Sequence, residues 1–255
     1  TDNNQAVITV AAEDAIACPR YSGLMIRDIK VEDSPEWLKN KLKSIGIRSI
    51  NNIVDITNYV LHELGQPMHA FDAAKIKDNK VIVKKLKEGS KFITLDGVER
   101  ILSADDLMIC NGQDEPMCIA GVFGGVNSGV TSETTAIFLE SAYFNAGSVR
   151  RSSKRHGLKT DASFRYERGA DPNITVYALK RAALLIKEIA GGEIASDIID
   201  IYPKKIENFK VAFSIRSCDD LIGKNLDIDT IKNIILALGI EIEQEGNDAL
   251  LLSVP

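Results

Sequence analysis

Glu140 interrupts the run Ala136-Ile137-Phe138-Leu139-Glu140-Ser141-Ala142-Tyr143-Phe144, which is apolar at both alternating sets of positions. This pattern predicts a strand buried on both faces, with Ala136, Phe138 and Ala142 on the side of Glu140 and Ile137, Leu139 and Tyr143 on the other. An ionised carboxylate in such a strand is costly unless something pairs with it. Two readings are open. A basic residue forms a buried ion pair with Glu140, or the carboxyl faces a cavity and takes a donor from a ligand.

Three further patches carry residue types suited to chemistry. RSINNIVDITNYVLHELGQPMHAFD packs Arg48, Asp55, Thr57, Asn58 and His69 into a short span. Polar side chains this dense on an apolar helix and loop read as the wall of a cleft. His69 alone also fits a hydrogen-bonded structural histidine. AGVFGGVNSG places glycines at 121, 124, 125 and 129, where a backbone can approach a ligand and offer amide donors. The bland reading is a tight turn between strands. It is not a dinucleotide fingerprint, because no βαβ unit surrounds it. RRSSKRHGLKTDASFRYERG is strongly basic, with Arg150, Arg151, Lys154, Arg155, His156, Lys159, Arg165 and Arg168. Its hydroxyls at Ser152, Ser153, Thr160 and Ser163 suit phosphate, and Phe164 and Tyr166 suit stacking on bases. The bland reading is a solvated helix face with ion pairs.

The elements that must position these residues follow from the pattern. Tyr21–Val31 reads as a strand. Ser34 and Pro35 open a helix to Gly46, with Ser34 as cap and Pro35 at the first helical position. A second helix from about Asn51 to Leu64 ends at Gly65. Gln66-Pro67 then predicts a loop carrying Met68-His69-Ala70-Phe71-Asp72. Short strands are expected at Lys80–Lys85, Lys91–Leu95, Glu99–Leu102, Leu107–Cys110 and Met117–Val122, with Asp96-Gly97 as a hairpin turn. Asp171-Pro172 opens a long helix through Ile189, closed by Gly191-Gly192. A boundary is expected at Tyr202-Pro203-Lys204-Lys205. A small α+β unit follows: strand Phe209–Ile215, helices near Cys218–Ile222 and Thr230–Leu238, strands Ile240–Gln244 and Ala249–Ser253.

The totals bound the class. The 255 residues, 45% hydrophobic and 26% charged, suit one large or one medium and one small globular domain. No apolar run approaches membrane-spanning length, and no basic-then-apolar leader is present. The four cysteines (Cys18, Cys110, Cys118, Cys218) form no CxxC pair and only three histidines occur, so a zinc site is not expected. Scattered thiols fit a reducing cytoplasm. The net charge of −5 argues against a whole-surface nucleic-acid binder but permits a local basic patch. The missing initial methionine and the closing apolar strand Leu250–Pro255 read as a piece of a longer protein.

The blocks NNIVDITNYVLHELGQPMHAFD, GVFGGVNSGV, FLESAYF and RRSSKRHGLKTDASFRYERGADP, in this order, resemble the B3/B4 module of the bacterial phenylalanyl-tRNA synthetase beta subunit. The likeness covers nearly all of the first 200 residues. The tail resembles the start of the B5 domain. The resemblance implies an α/β (α+β) editing module of mixed sheets with flanking helices over 1–204, then a truncated α+β unit over 205–255. It implies hydrolysis of tyrosine wrongly attached to the phenylalanine tRNA. It places the site on Arg48, Thr57, Asn58, His69, Gly124, Gly125, Glu140, Thr160 and Ala162, with Glu140 meeting the tyrosine hydroxyl. It implies partners in the tRNA(Phe) 3′ end, tyrosine as ligand and an alpha subunit in a heterotetramer, all in the cytoplasm and without a membrane. No cofactor is implied for this module; ATP and magnesium are implied for the parent enzyme.

Phenylalanine and tyrosine differ by one hydroxyl, and a hydrophobic pocket rejects an added hydroxyl only by about a hundredfold. A second site with a buried acceptor that only tyrosine satisfies inverts the problem. The bond to be cut is an ester already reactive toward water. A positioned water and oxyanion donors then suffice without a serine or cysteine nucleophile or a metal. His69, Thr57 and Asn58 are expected to orient the water and the terminal adenosine. Amides near Gly124 and Gly125 are expected to meet the oxyanion. Whether His69 takes a proton or only positions the water is open. The alternative is a non-catalytic module that binds tRNA or a subunit, with Glu140 in a structural ion pair. A free-standing deacylase is a further rival.

Overall fold

A computed structural model describes residues 7–255, which divide into two compact units after Lys204. The first unit contains, in chain order, β1 (Thr9–Ala12), β2 (Arg20–Arg27), α1 (Glu36–Ser44), α2 (Asn52–Leu64), β3 (Met68–Asp72), β4 (Lys80–Lys85), β5 (Lys91–Ile93), β6 (Glu99–Ile101), β7 (Leu107–Cys110), β8 (Pro116–Ile119), β9 (Phe123–Gly124), β10 (Ala136–Tyr143), α3 (Ala146–His156), α4 (Asp161–Tyr166), α5 (Thr175–Ile189), β11 (Glu193–Ile194) and β12 (Ile199–Ile201). It is an α+β fold of one mixed sheet, one antiparallel sheet and a separate two-stranded antiparallel hairpin β5-β6, with flanking helices.

The oily strand around Glu140 is β10, and it lies in the middle of a sheet. It pairs antiparallel with β2 on one edge and β3 on the other, while β11 and β12 add to β2. Because side chains alternate, the two faces of this sheet serve different cores. Leu24, Ile26, Ala70, Ile137 and Leu139 pack with Leu38 and Leu42 of α1, Ile53 and Val60 of α2, and Leu179, Ala182 and Ile186 of α5. Tyr21, Phe71, Phe138 and Ala142 point the opposite way, into a core shared with the mixed sheet β1-β4-β7-β8-β9. In that sheet β1 pairs with β4 in parallel and the remaining ladders are antiparallel. The two-sided burial read from the sequence is what the strand shows.

Met68–Asp72, expected as a loop, is instead strand β3, in register from Ile137↔Asp72 to Ser141↔Met68. Five residues after a proline give little local strand signal. Pairing with a distant segment decides the outcome. Helix α2 agrees closely with its reading: Asn51 caps the Val54 amide and Gly65 closes the helix at φ 75°. At α1 the cap position belongs to Pro35, not Ser34. The Ser34 hydroxyl donates instead to the buried Asp55 carboxylate at 2.6 Å. The long helix α5 starts at Thr175, four residues after Asp171, whose carboxylate accepts from the Asn173 amide in a turn of its own. The basic segment forms α3 and α4. They are joined through Gly157 at φ 65°, and a Thr160–Ser163 capping box starts α4.

The second unit contains β13 (Phe209–Ser214), α6 (Ile215–Ile222), α7 (Ile228–Ala237), β14 (Glu241–Glu245) and β15 (Ala249–Val254). Its antiparallel sheet has the order β13-β15-β14, and Ile231, Ile235, Leu250 and Leu252 form its small core.

Candidate active site

A cavity of about 250 Å³ opens in the first unit. Thr57, Asn58 and Leu61 reach it from α2, and Met68 and His69 from β3. Gly121 to Gly124 supply one wall, Glu140 the sheet floor, and Thr160, Asp161 and Ala162 the start of α4. Thr57, Asn58, His69, Gly124, Glu140, Thr160 and Ala162, separated widely in the chain, therefore share one space. Two sequence-expected residues do not line it. Arg48 is on a separate basic surface pocket of about 400 Å³ with Lys39, Lys43 and Ser49. Asp55 draws Ser49 and the Ile50 amide against the first turn of α2, which leaves Arg48 on the outside. Gly125 donates its amide to the Met117 carbonyl at 2.8 Å, so that donor is already spent. Its glycine is a packing requirement, because a Cβ there would lie 2.7 Å from the Phe92 ring.

The strand ladders set the two central groups side by side. Glu140 is directly opposite His69 on β3 and Gly23 on β2, so Glu140 and His69 share a face. Gly23 has no side chain on that face because the Phe138 ring lies over it; a Cβ would come within 2.4 Å of that ring. Tyr21, two residues along β2, reaches across and donates its hydroxyl to Glu140 Oε2 at 2.8 Å. This is the only hydrogen bond to the Glu140 carboxyl among the described residues, and no lysine, arginine or histidine pairs with it. The ion-pair reading of the strand is therefore not what the fold contains. Glu140 is only 4% exposed. Burial pushes its pKa up to about 8 against the opposing pull of the Tyr21 bond.

His69 is shaped by the same environment. Burial lowers its pKa to about 4, so the imidazole is neutral at pH 7. Its ring meets Phe71 edge-on at 4.4 Å and lies against the backbone of Gly124, where a Cβ would sit 2.9 Å from Cε1. Its Nε2 is buried without a protein partner. The imidazole as a whole lines the cavity and can position a ligand there, but at this pKa it is a weak proton acceptor. Asn58 makes no side-chain hydrogen bond among the described residues. Thr57 donates to the Val54 carbonyl of its own helix. Thr160 donates to the Val122 carbonyl and accepts from the Ser163 amide, pinning α4 to the glycine wall.

Tyr21 and Tyr166 are the site residues that sequence reasoning missed or misplaced. Tyr21 carries no motif; only the register of β2 against β10 brings it to Glu140. Tyr166, expected as an exposed base-stacking ring, is buried beside the cavity and donates to the carbonyls of Ala142 and Pro67. Cys118 also lines the cavity, but burial and the neighbouring Glu140 push its thiol well above the usual range, so it is no nucleophile.

The basic segment divides in two. Asp106, fully buried, accepts from Ser152, from Arg155, from His156 and from the Ser103 amide. The Ser153 hydroxyl goes to the Leu158 carbonyl and that of Ser163 to the Thr160 carbonyl. The four hydroxyls read as phosphate donors are therefore committed within the protein. Arg150, Lys154 and Lys159 remain exposed, without an acidic partner among the described residues. Among the described residues no cluster of His, Cys, Asp or Glu could hold a metal ion, and no helix is long and apolar enough to cross a membrane.

A family model described as the B3/4 domain matches residues 17–191. A phenylalanine–tRNA ligase beta subunit of Bacteroides fragilis is 54% identical over 254 residues, covering 100% of this chain and 31% of that protein. The Porphyromonas gingivalis beta subunit is 53% identical over 255 residues, again with 31% of its length covered. The chain thus spans about a third of the curated relatives it matches. A solved N-terminal fragment of the Pyrococcus horikoshii phenylalanyl-tRNA synthetase beta subunit overlaps with a TM-score of 0.49 at 13% identity, covering 98% of this chain and 69% of that one.

Proposed function

The chain belongs to the B3/4 domain family, and from that premise we propose that its cavity is an editing site, which hydrolyses tyrosine mischarged onto tRNA(Phe). The reading is carried by one observation: a buried carboxyl that faces a cavity and is held by a single neutral donor. A buried polar group with unfilled hydrogen-bonding capacity favours the ligand that fills it. Tyr21 donates to Oε2, which leaves Oε1 for a ligand. At pH 7 the carboxyl is mostly protonated, and Oε1–H donates to the phenol oxygen of tyrosine. Once ionised, Oε1 accepts from the phenol instead. Phenylalanine satisfies neither state. The neutral bond is worth about 0.5–1.5 kcal/mol and the charge-assisted bond of the ionised form about 1.5–3 kcal/mol, or from about twofold to about a hundredfold in selection across the two states.

The remaining side chains suit ester hydrolysis. The His69 imidazole and the side-chain amide of Asn58, both on the cavity wall, hold the attacking water and the terminal adenosine. With its pKa near 4, His69 acts by orientation, and the reactive ester needs no stronger base. The Gly124 wall lies where an oxyanion would develop, whereas Gly125 cannot serve there. Arg48 is exposed and lines a different pocket, so it is given no role in this cavity. Residues 1–204 form the editing unit in this proposal and 205–255 the start of a B5-type unit. The alpha subunit, ATP and magnesium belong to the longer ligase, in which this chain would be one part.

The test is tyrosine release from mischarged tRNA by the full ligase. Glu140→Ala is expected to slow release by between about twofold and about a hundredfold, more as pH rises and the native carboxyl ionises, and His69→Ala to slow it as well. Unchanged release in both variants would favour the alternative, a non-catalytic module that only holds tRNA.

A further inference from the structure

Beside the cavity, between α3 and α4, runs a groove of about 700 Å³ whose walls share Thr160 and Asp161 with it. Arg150, Lys154 and Lys159 line this groove with no acidic partner among the described residues. Asp161 and Glu167 also line it, but Glu167 is taken by Arg168 at 2.6 Å and Asp161 sits 3.8 Å from His62. Its charge is thus positive inside a chain whose net charge is −5. Lysine and arginine in the last turn of α3 also suit that helix end, and this accounts for part of the pattern. It does not account for the aromatic platform. Phe164 is 52% exposed, and the Arg168 guanidinium lies over its ring at 3.6 Å. Such a cation–ring pair presents a flat surface on which an unpaired base can stack.

We infer that this groove is the track for single-stranded RNA, which feeds the terminal nucleotide into the cavity over Thr160. Arg150, Lys154 and Lys159 take backbone phosphates, and the Phe164–Arg168 pair takes a base. This rests on the editing reading and adds which surface of the chain grips the tRNA. Cations with an aromatic platform fit a flexible strand, because every base offers a ring face whatever its sequence. A duplex would instead be held by phosphates alone and would leave the Phe164 platform unused.

The test uses the full ligase with tyrosine-charged tRNA(Phe), over a series of salt concentrations. Lys154→Glu with Lys159→Glu is expected to raise KM on the order of tenfold with kcat little changed. The slope of log affinity against log salt should flatten by about 0.7 for each phosphate no longer neutralised. Lys154→Arg with Lys159→Arg should restore both. Phe164→Ala should raise KM without altering the salt slope, because stacking carries no counterion. These exposed positions keep the fold out of the readout. An unchanged KM and salt slope in the charge-reversed variant, with Glu140→Ala still slowing tyrosine release, overturns the groove assignment alone. Loss of the Glu140 effect with the salt dependence intact would overturn the editing reading instead. A rise in KM for Lys154→Glu with Lys159→Glu and none for Phe164→Ala would mean duplex contact and overturn the single-strand assignment.

Discussion

Asp106 and Glu140 are both buried carboxyls in the same unit, and the fold treats them in opposite ways. Asp106 receives Ser152, Arg155, His156 and the Ser103 amide. Burial alone would raise its pKa, but those donors outweigh it and hold the carboxyl below the usual range. Glu140 receives one phenol, and burial carries it to about 8. One acid is saturated with partners and ties α3 to the turn before β7. The other is left short of partners at the edge of a cavity. What separates the two acids is unfilled hydrogen-bonding capacity, not burial.

The contrast predicts opposite responses to mutation. Asp106→Ala should give the largest effect. It strands Arg155, His156 and Ser152, and chemical denaturation should show a loss of about 3–5 kcal/mol. A loss below about 1 kcal/mol would mean that the network is ornamental and the contrast empty. Glu140→Gln should do the reverse. Between pH 4.5 and 8 the native carboxyl keeps a proton that the unfolded chain releases, so native stability falls as pH rises through that window. The glutamine has no proton to hold. Relative to native, the variant should therefore gain on the order of 5 kcal/mol across that window. A stability gap that stays flat with pH would show that Glu140 titrates normally. Tyr21→Phe should give the smallest effect, about 1 kcal/mol from one lost hydrogen bond. It removes the only bond favouring the charged form, so the stability window should extend above pH 8. Tyrosine release should fall while folding is nearly intact. A variant as selective as the native protein would remove Tyr21 from the proposed site.

Much of this is legible in the sequence, and the gaps have physical causes. The two-sided burial of β10, the caps of α2 and the hairpin at Asp96-Gly97 are local patterns, and the fold carries them. Met68–Asp72 reads as a loop because its strand character exists only when β10 lies beside it. The loop reading hides the alignment of His69 with Glu140, and the register of β2 hides Tyr21. The basic segment looks freer than it is for a related reason. Charge is visible in a sequence, but Asp106, which consumes Arg155 and His156, is 46 or more residues away in the chain. Family likeness also points to Arg48 and Gly125, but Arg48 lines a separate surface pocket and the Gly125 amide is bonded to the Met117 carbonyl.

The central question is whether the free capacity of Glu140 meets a phenol. A crystal of this chain soaked with tyrosine answers it directly. The phenol oxygen is expected within about 3 Å of the Glu140 carboxyl, on the side away from Tyr21, with the ring inside the cavity that Leu61, Met68 and Val122 help to line. Tyrosine bound with its phenol turned away from Glu140, or a cavity left empty while the ring settles elsewhere, would contradict it.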